Sequence, residues 1–115
     1  MNVLVVDDNE LHLKMCRILL RNLGHEVVTA TSLQNLKDQM KTIGIPDVAL
    51  IDYRLSTTET GVDVIEYLKG SSNWVGTKYI ALTADVSERA QLDRAGFDMV
   101  AFKPISEILL KELID

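Results

Sequence analysis

The chain alternates short runs of consecutive apolar residues with longer stretches in which apolar positions recur every three or four residues. Val3-Leu4-Val5-Val6, Val48-Ala49-Leu50-Ile51 and Tyr79-Ile80-Ala81-Leu82 are continuous, the pattern of strands buried on both faces of a parallel sheet. Residues 26–30 and roughly 99–102 supply two further strands. Between them the helical period predicts a first helix carrying Leu11, Met15, Ile18, Leu19 and Leu23, ended by Gly24. A second, capped by Ser32, buries Leu33, Leu36 and Met40. A third starts at Gly61, carries Val62, Ile65 and Leu68, and breaks at 70–73. A shorter fourth begins at Ser87 and Glu88 and runs to Ala95, where Gly96 stops it, and a fifth, capped by Ser106, carries Ile108, Leu109, Leu110 and Leu113.

Five strands that alternate with helices imply parallel pairing through right-handed crossovers, with helices on both faces of one open sheet. The expected fold is α/β, a doubly wound (βα)5 flavodoxin-like three-layer sandwich with strand order 2-1-3-4-5. A length of 115 residues with 47% apolar content gives one domain, 1–115, with a core of its own. In this order ligands bind outside the carboxyl ends of the strands, where the strand order reverses between the first and third. Asp7-Asp8 and Asp52 stand there.

Three carboxylates in one crevice cannot all stay ionised without compensation, and a divalent cation supplies it. All-oxygen ligands favour Mg²⁺, with Mn²⁺ possible, over zinc. The fourth and fifth strands add the Thr83 hydroxyl and the Lys103 ammonium to the same rim. Carboxylate nucleophile, metal, hydroxyl and lysine together can move a phosphoryl group onto a carboxylate. Taken singly, each residue has a plainer role: Asp7-Asp8-Asn9 as a helix cap, Thr83 as a β-branched strand residue, Lys103 as a solvated charge.

Composition narrows the function by exclusion. A net charge of −5 argues against direct nucleic-acid binding. No apolar run is long enough for a membrane span, and the amino terminus lacks the pattern of a signal peptide, so a cytoplasmic location without membrane contact is expected. Cys16 is the sole cysteine and reads as a small buried hydrophobe. His12 and His25 have no partners at ligand spacing and read as surface or turn residues, and Trp74 reads as a packing residue.

Val5-Val6-Asp7-Asp8-Asn9, Ile51-Asp52, Leu82-Thr83-Ala84 and Phe102-Lys103-Pro104, in that order over the whole chain, resemble the motif set of the receiver domains of two-component response regulators. The resemblance implies Asp52 as phospho-acceptor. It assigns Mg²⁺ to Asp8, Asp52 and the backbone carbonyl of Arg54, with Asp7 assisting directly or through water. Lys103 would pair with one phosphoryl oxygen and Thr83 with another after transfer, and the Lys103-Pro104 bond would be cis. The donor would be a phosphohistidine on a sensor histidine kinase or histidine phosphotransfer domain, docking beside the first helix. Such a domain is a regulatory phospho-acceptor rather than an enzyme in its own right. Asp8-Asn9-Glu10, Leu23-Gly24-His25 and Ala95-Gly96-Phe97 resemble the receivers of hybrid sensor histidine kinases, so that the chain would be a stand-alone receiver or part of such a kinase.

Three departures from the family pattern stand out. Ser56 replaces a customary proline, and the loop from Asp52 to Gly61 is one residue longer than usual. Val100 stands where a switch aromatic is common. Arg54 and Asp85, two residues beyond Asp52 and Thr83, are expected to pair across the mouth of the site. A phosphorylation-independent pseudo-receiver and a Mg²⁺-dependent aspartyl-phosphate phosphohydrolase are the alternatives. The second normally has a general acid where this chain has Arg54.

Overall fold

Strand β1 (Asn2–Val6) leads into helix α1 (Glu10–Asn22), and β2 (Glu26–Ala30) leads into α2 (Leu33–Gln39). Next, β3 (Val48–Asp52) leads into α3 (Gly61–Ser71), β4 (Lys78–Thr83) into α4 (Arg89–Ala95) and β5 (Met99–Phe102) into α5 (Glu107–Ile114). A single 3-10 turn, Val86–Glu88, precedes α4. This computed structural model describes residues 1–56, 58–71 and 73–114; Thr57 and Ser72 of the expected loops lie outside the described residues.

All neighbouring strands are parallel, in the order β2-β1-β3-β4-β5. The fold is the flavodoxin-like one expected from the alternating pattern. Register decides what the strand ends share: Val6 lies opposite Ile51, Asp52 opposite Leu82, and Thr83 opposite Phe102. Asp7, Asp52, Thr83 and Lys103 therefore leave the sheet at one level, on one rim.

The pleat sends alternate residues to two cores. Val3, Val5, Val48, Leu50, Ile80 and Leu82 face α1 and α5, meeting Leu13, Cys16, Leu20, Leu110 and Leu113. Leu4, Val6, Ala49, Ile51, Tyr79 and Ala81 face the other layer, with Leu36, Val64, Ile65, Leu68 and Leu92. Helix α2 buries Leu36 fully and holds Leu33 and Met40 half-buried against that core. Helix α3 continues through Ser71, past the expected break at Gly70.

Helix α1 corrects the sequence reading. Its buried stripe is Leu13, Cys16 and Leu20, with Leu19 and Leu23 at the margin. Leu11, Met15 and Ile18 face outward, at 77%, 41% and 50% exposure. Burial pushes the Cys16 thiol up to about 12, with the nearby Asp7 charge adding to it, which keeps it an inert packing group.

Two glycines are needed where they stand. A Cβ on Gly61 would lie 2.8 Å from the Asp52 carbonyl oxygen, so the start of α3 can close on the end of β3 only without a side chain. Gly96 ends α4 at a φ of +102°. Hydrogen bonds tie described residues of the loop after Asp52 to one another and to α2. The Ser56 hydroxyl accepts from the amides of Thr58 and Glu59, and Glu59 Oε1 accepts from the Leu33 amide at the start of α2.

Candidate functional site

Carboxylate oxygens of Asp7, Asp8 and Asp52 lie within 4.8 Å of one another. Asp7 and Asp52 are buried, while Asp8 is exposed at the mouth. Asn9 caps α1 by accepting from the His12 amide, which fixes the turn out of β1 and holds both aspartates over the reversal point. The Asn9 amide in turn donates to Asp7 Oδ1.

Lys103 reaches in from the end of β5. Its Nζ lies 2.9 Å from Asp52 Oδ1 and 3.7 Å from Asp7 Oδ2. The Lys103-Pro104 peptide is cis, as the motif implied. Burial works against the Lys103 ammonium, but Asp52 and Asp7 outweigh it and hold its pKa above the ordinary lysine value.

The two buried aspartates titrate in opposite directions. Burial and the neighbouring Asp7 charge push Asp52 up to about 6 in spite of Lys103. Burial also acts on Asp7, yet its bonds from His12 and the Asn9 amide and the charge of Lys103 hold it below the usual carboxylate range. His12 was missed by sequence spacing: Nδ1 contacts Asp7 Oδ2, and the ring is mostly buried against the crevice instead of standing at the surface.

Across the crevice, a cavity of about 100 Å³ is lined by Asp52, Tyr53, Arg54, Thr83, Ala84, Asp85, Glu88 and Lys103. Thr83 Oγ1 donates to Glu88 Oε1 at 2.6 Å and accepts from the Asp85 amide at 3.1 Å. Arg54 does not pair with Asp85 as expected. Its Nη2 donates to Glu88 Oε2 at 3.3 Å, while Asp85 Oδ1 accepts from the Ser87 amide and hydroxyl and so opens the 3-10 turn. Those two bonds, with the nearby Arg54 charge adding to them, hold the Asp85 carboxyl below its ordinary value. Val100 is half-buried against the core behind β4.

The surplus negative charge of three converging carboxylates against one lysine, in an all-oxygen donor set, fits a hard divalent cation. A parallel, doubly wound sheet that gathers carboxylates, a hydroxyl and a lysine on its carboxyl rim defines a regulatory domain of two-component signal transduction. The chain belongs to the response regulator receiver domain family, whose model matches residues 3–115. Receiver domains accept phosphoryl groups and bind Mg²⁺ at an acidic pocket of this kind.

The polar-differentiation response regulator DivK of Brucella ovis is 29% identical over 107 residues, covering 91% of this chain and 85% of that protein. Its counterpart in Brucella anthropi is 30% identical over 108 residues, with the same coverage. Among solved structures, a CheY-like receiver domain from Methylobacillus flagellatus superposes with a TM-score of 0.87 at 23% identity, covering 99% of this chain and 95% of that one. The receiver domain of a sensor histidine kinase from Pseudomonas aeruginosa, with a magnesium ion in its active-site cleft, gives 0.84 at 23% identity, covering 98% and 93%. No helix among the described residues is long and apolar enough to cross a membrane.

Proposed function

We propose that Asp52 accepts a phosphoryl group from a phosphohistidine donor in a Mg²⁺-dependent reaction, and that the modified domain changes its affinity for a protein partner. The observation that carries this reading is the placement of Asp52, buried between the Lys103 ammonium and the Asp7-Asp8 pair and opening on the cavity beside Thr83. With its pKa near 6, Asp52 is mainly a carboxylate at neutral pH, the form that attacks. Its oxygen bonds to phosphorus as the phosphorus–nitrogen bond breaks, and the leaving imidazole keeps the electron pair and takes a proton. Lys103 balances charge on an equatorial oxygen and Thr83 donates to another once transfer is complete.

Asp8, Asp52 and the Arg54 carbonyl would hold the cation, with Asp7 binding directly or through water. When bound, it neutralises charge on the phosphoryl oxygens. His12 and the Asn9 amide position Asp7 for that role.

The outward stripe of Leu11, Met15 and Ile18 starts one turn from Asp8 and, with Asn9, His12 and Lys14, forms a shallow apolar groove. A helical histidine-bearing domain laid there would bring its imidazole to the mouth of the crevice. The hydrolase alternative has less support, because Arg54 occupies the general-acid position and is engaged with Glu88.

Intact-mass analysis tests the reading. Acetyl phosphate with Mg²⁺ should add one phosphoryl group, and chelation should abolish the adduct. Met15→Glu should slow transfer from a phosphorylated histidine domain by roughly tenfold or more, by placing a charge in an apolar contact. The same substitution should leave the acetyl phosphate reaction unchanged. No adduct from any donor would shift the reading to a phosphorylation-independent binding module.

A further inference from the structure

Among the described residues, Glu88 is the buried carboxylate lining the cavity that the reaction above does not use. It is 8% exposed, although it sits on a surface turn, and each of its oxygens accepts a hydrogen bond: one from Thr83, one from Arg54. A threonine hydroxyl carries a single proton and can donate to one acceptor at a time. Thr83 already gives its proton to Glu88, so it has none for an anion on Asp52 while that bond lasts. The Glu88 carboxylate also shares the cavity of about 100 Å³ with Asp52, where a second anion is repelled at short range.

Resting on the phospho-acceptor reading of Asp52, we propose that Glu88 is an internal competitor of the phosphoryl group. In the resting state it holds Thr83 and Arg54. A phosphoryl group on Asp52 takes the Thr83 proton, and Glu88, left buried with one donor lost, moves outward with Arg54. The residues that move with it are the Val86–Glu88 turn and the first turn of α4, which follows without a break. Val86, 69% exposed on that turn, changes its presentation to a partner. The displaced carboxylate thus does the work that a switch aromatic would do at Val100.

The test uses beryllofluoride, formed from beryllium chloride and fluoride with Mg²⁺, as a tetrahedral anionic probe of the acceptor site. Wild type and Glu88→Gln are titrated by ¹H–¹⁵N NMR, with Mg²⁺ affinity measured separately. Glutamine keeps the size of the side chain and an acceptor for Thr83, and thermal melting checks that the fold is retained. Glu88→Gln should bind beryllofluoride about tenfold more tightly, the order set by exchanging a charge-assisted hydrogen bond for a neutral one. Mg²⁺ affinity should not change, and in wild type the amides of residues 85–89 should shift on saturation. Equal or weaker binding by Glu88→Gln, or unmoved amides at 85–89, overturns the competitor role and leaves the acceptor reading standing. Absence of binding by both proteins overturns the acceptor reading and the competitor role together.

Discussion

On the β1 and β3 side of the crevice three carboxylates share one ammonium, whereas on the β4 side a hydroxyl, a carboxylate and a guanidinium pair in sequence. The first wall carries unbalanced charge, so its state depends on pH, on Lys103 and on an added cation. The second wall is satisfied internally, so it changes only when a partner is taken away. In the proposed reading, chemistry belongs to the first and its transmission to the second.

The largest effect should come from removing the ammonium that Asp7 and Asp52 share. Lys103→Ala should slow adduct formation with acetyl phosphate by roughly a hundredfold, the scale of losing one group that stabilises transition-state charge. A mass time course measures it, and a rate within a few-fold of wild type would put Lys103 outside the reaction.

Next in size is the pH dependence of stability. The folded-state pKa of Asp52 is raised above its unfolded value, so between about pH 4 and about pH 6 the folded protein binds more protons than the unfolded chain. Unfolding free energy should therefore fall as pH rises through that window, by on the order of 2 kcal/mol, and stay lower above it. Mg²⁺ should restore most of this loss near neutral pH and have little effect at acidic pH. Asp7 runs the other way: its contribution is present above the unfolded value and lost as pH falls through a lower folded value, below the Asp52 window. Denaturant titrations across pH, with and without Mg²⁺, measure both, and a profile insensitive to pH and Mg²⁺ would erase the contrast between the walls.

The smallest effect lies on the satisfied wall. Thr83→Val keeps the branched shape and removes the donor to Glu88, which should cost about 1 kcal/mol of stability and leave adduct formation within a few-fold. Urea midpoints and the mass assay together check this. A hundredfold loss of adduct would move Thr83 from transmission into the chemistry.

Much of the architecture was legible because buried parallel strands write themselves as continuous apolar runs, and the polar residue that ends each run marks the rim. Asp7, Asp8, Asp52, Thr83 and Lys103 were found that way, and the register brings them to one rim. The phase of α1 was not legible. That helix has two apolar stripes, Leu11-Met15-Ile18 and Leu13-Cys16-Leu20, and a 3.6-residue period fits both; the chain's exit from β1 selects the second for the core. The partner of Arg54 was hidden for a different reason. Counting residues from Asp52 and Thr83 places Arg54 and Asp85 at the mouth, but it does not reveal that Asp85 Oδ1 caps the turn at Ser87 and that Glu88, one 3-10 turn later, lines the cavity and accepts from Arg54. His12 escaped because its contact with Asp7 crosses from a strand end to a helix, a spacing that matches no periodic pattern.

The central claim is that the phosphoryl group resides on Asp52, and the direct measurement is to map it. Borohydride reduction of the phosphorylated chain converts an aspartyl phosphate to homoserine, which tandem mass spectrometry locates in the peptide spanning β3. The account predicts conversion at residue 52 alone, lost in Asp52→Asn. Conversion at Asp7, Asp8 or any other residue, or an adduct that survives Asp52→Asn unchanged, would contradict it.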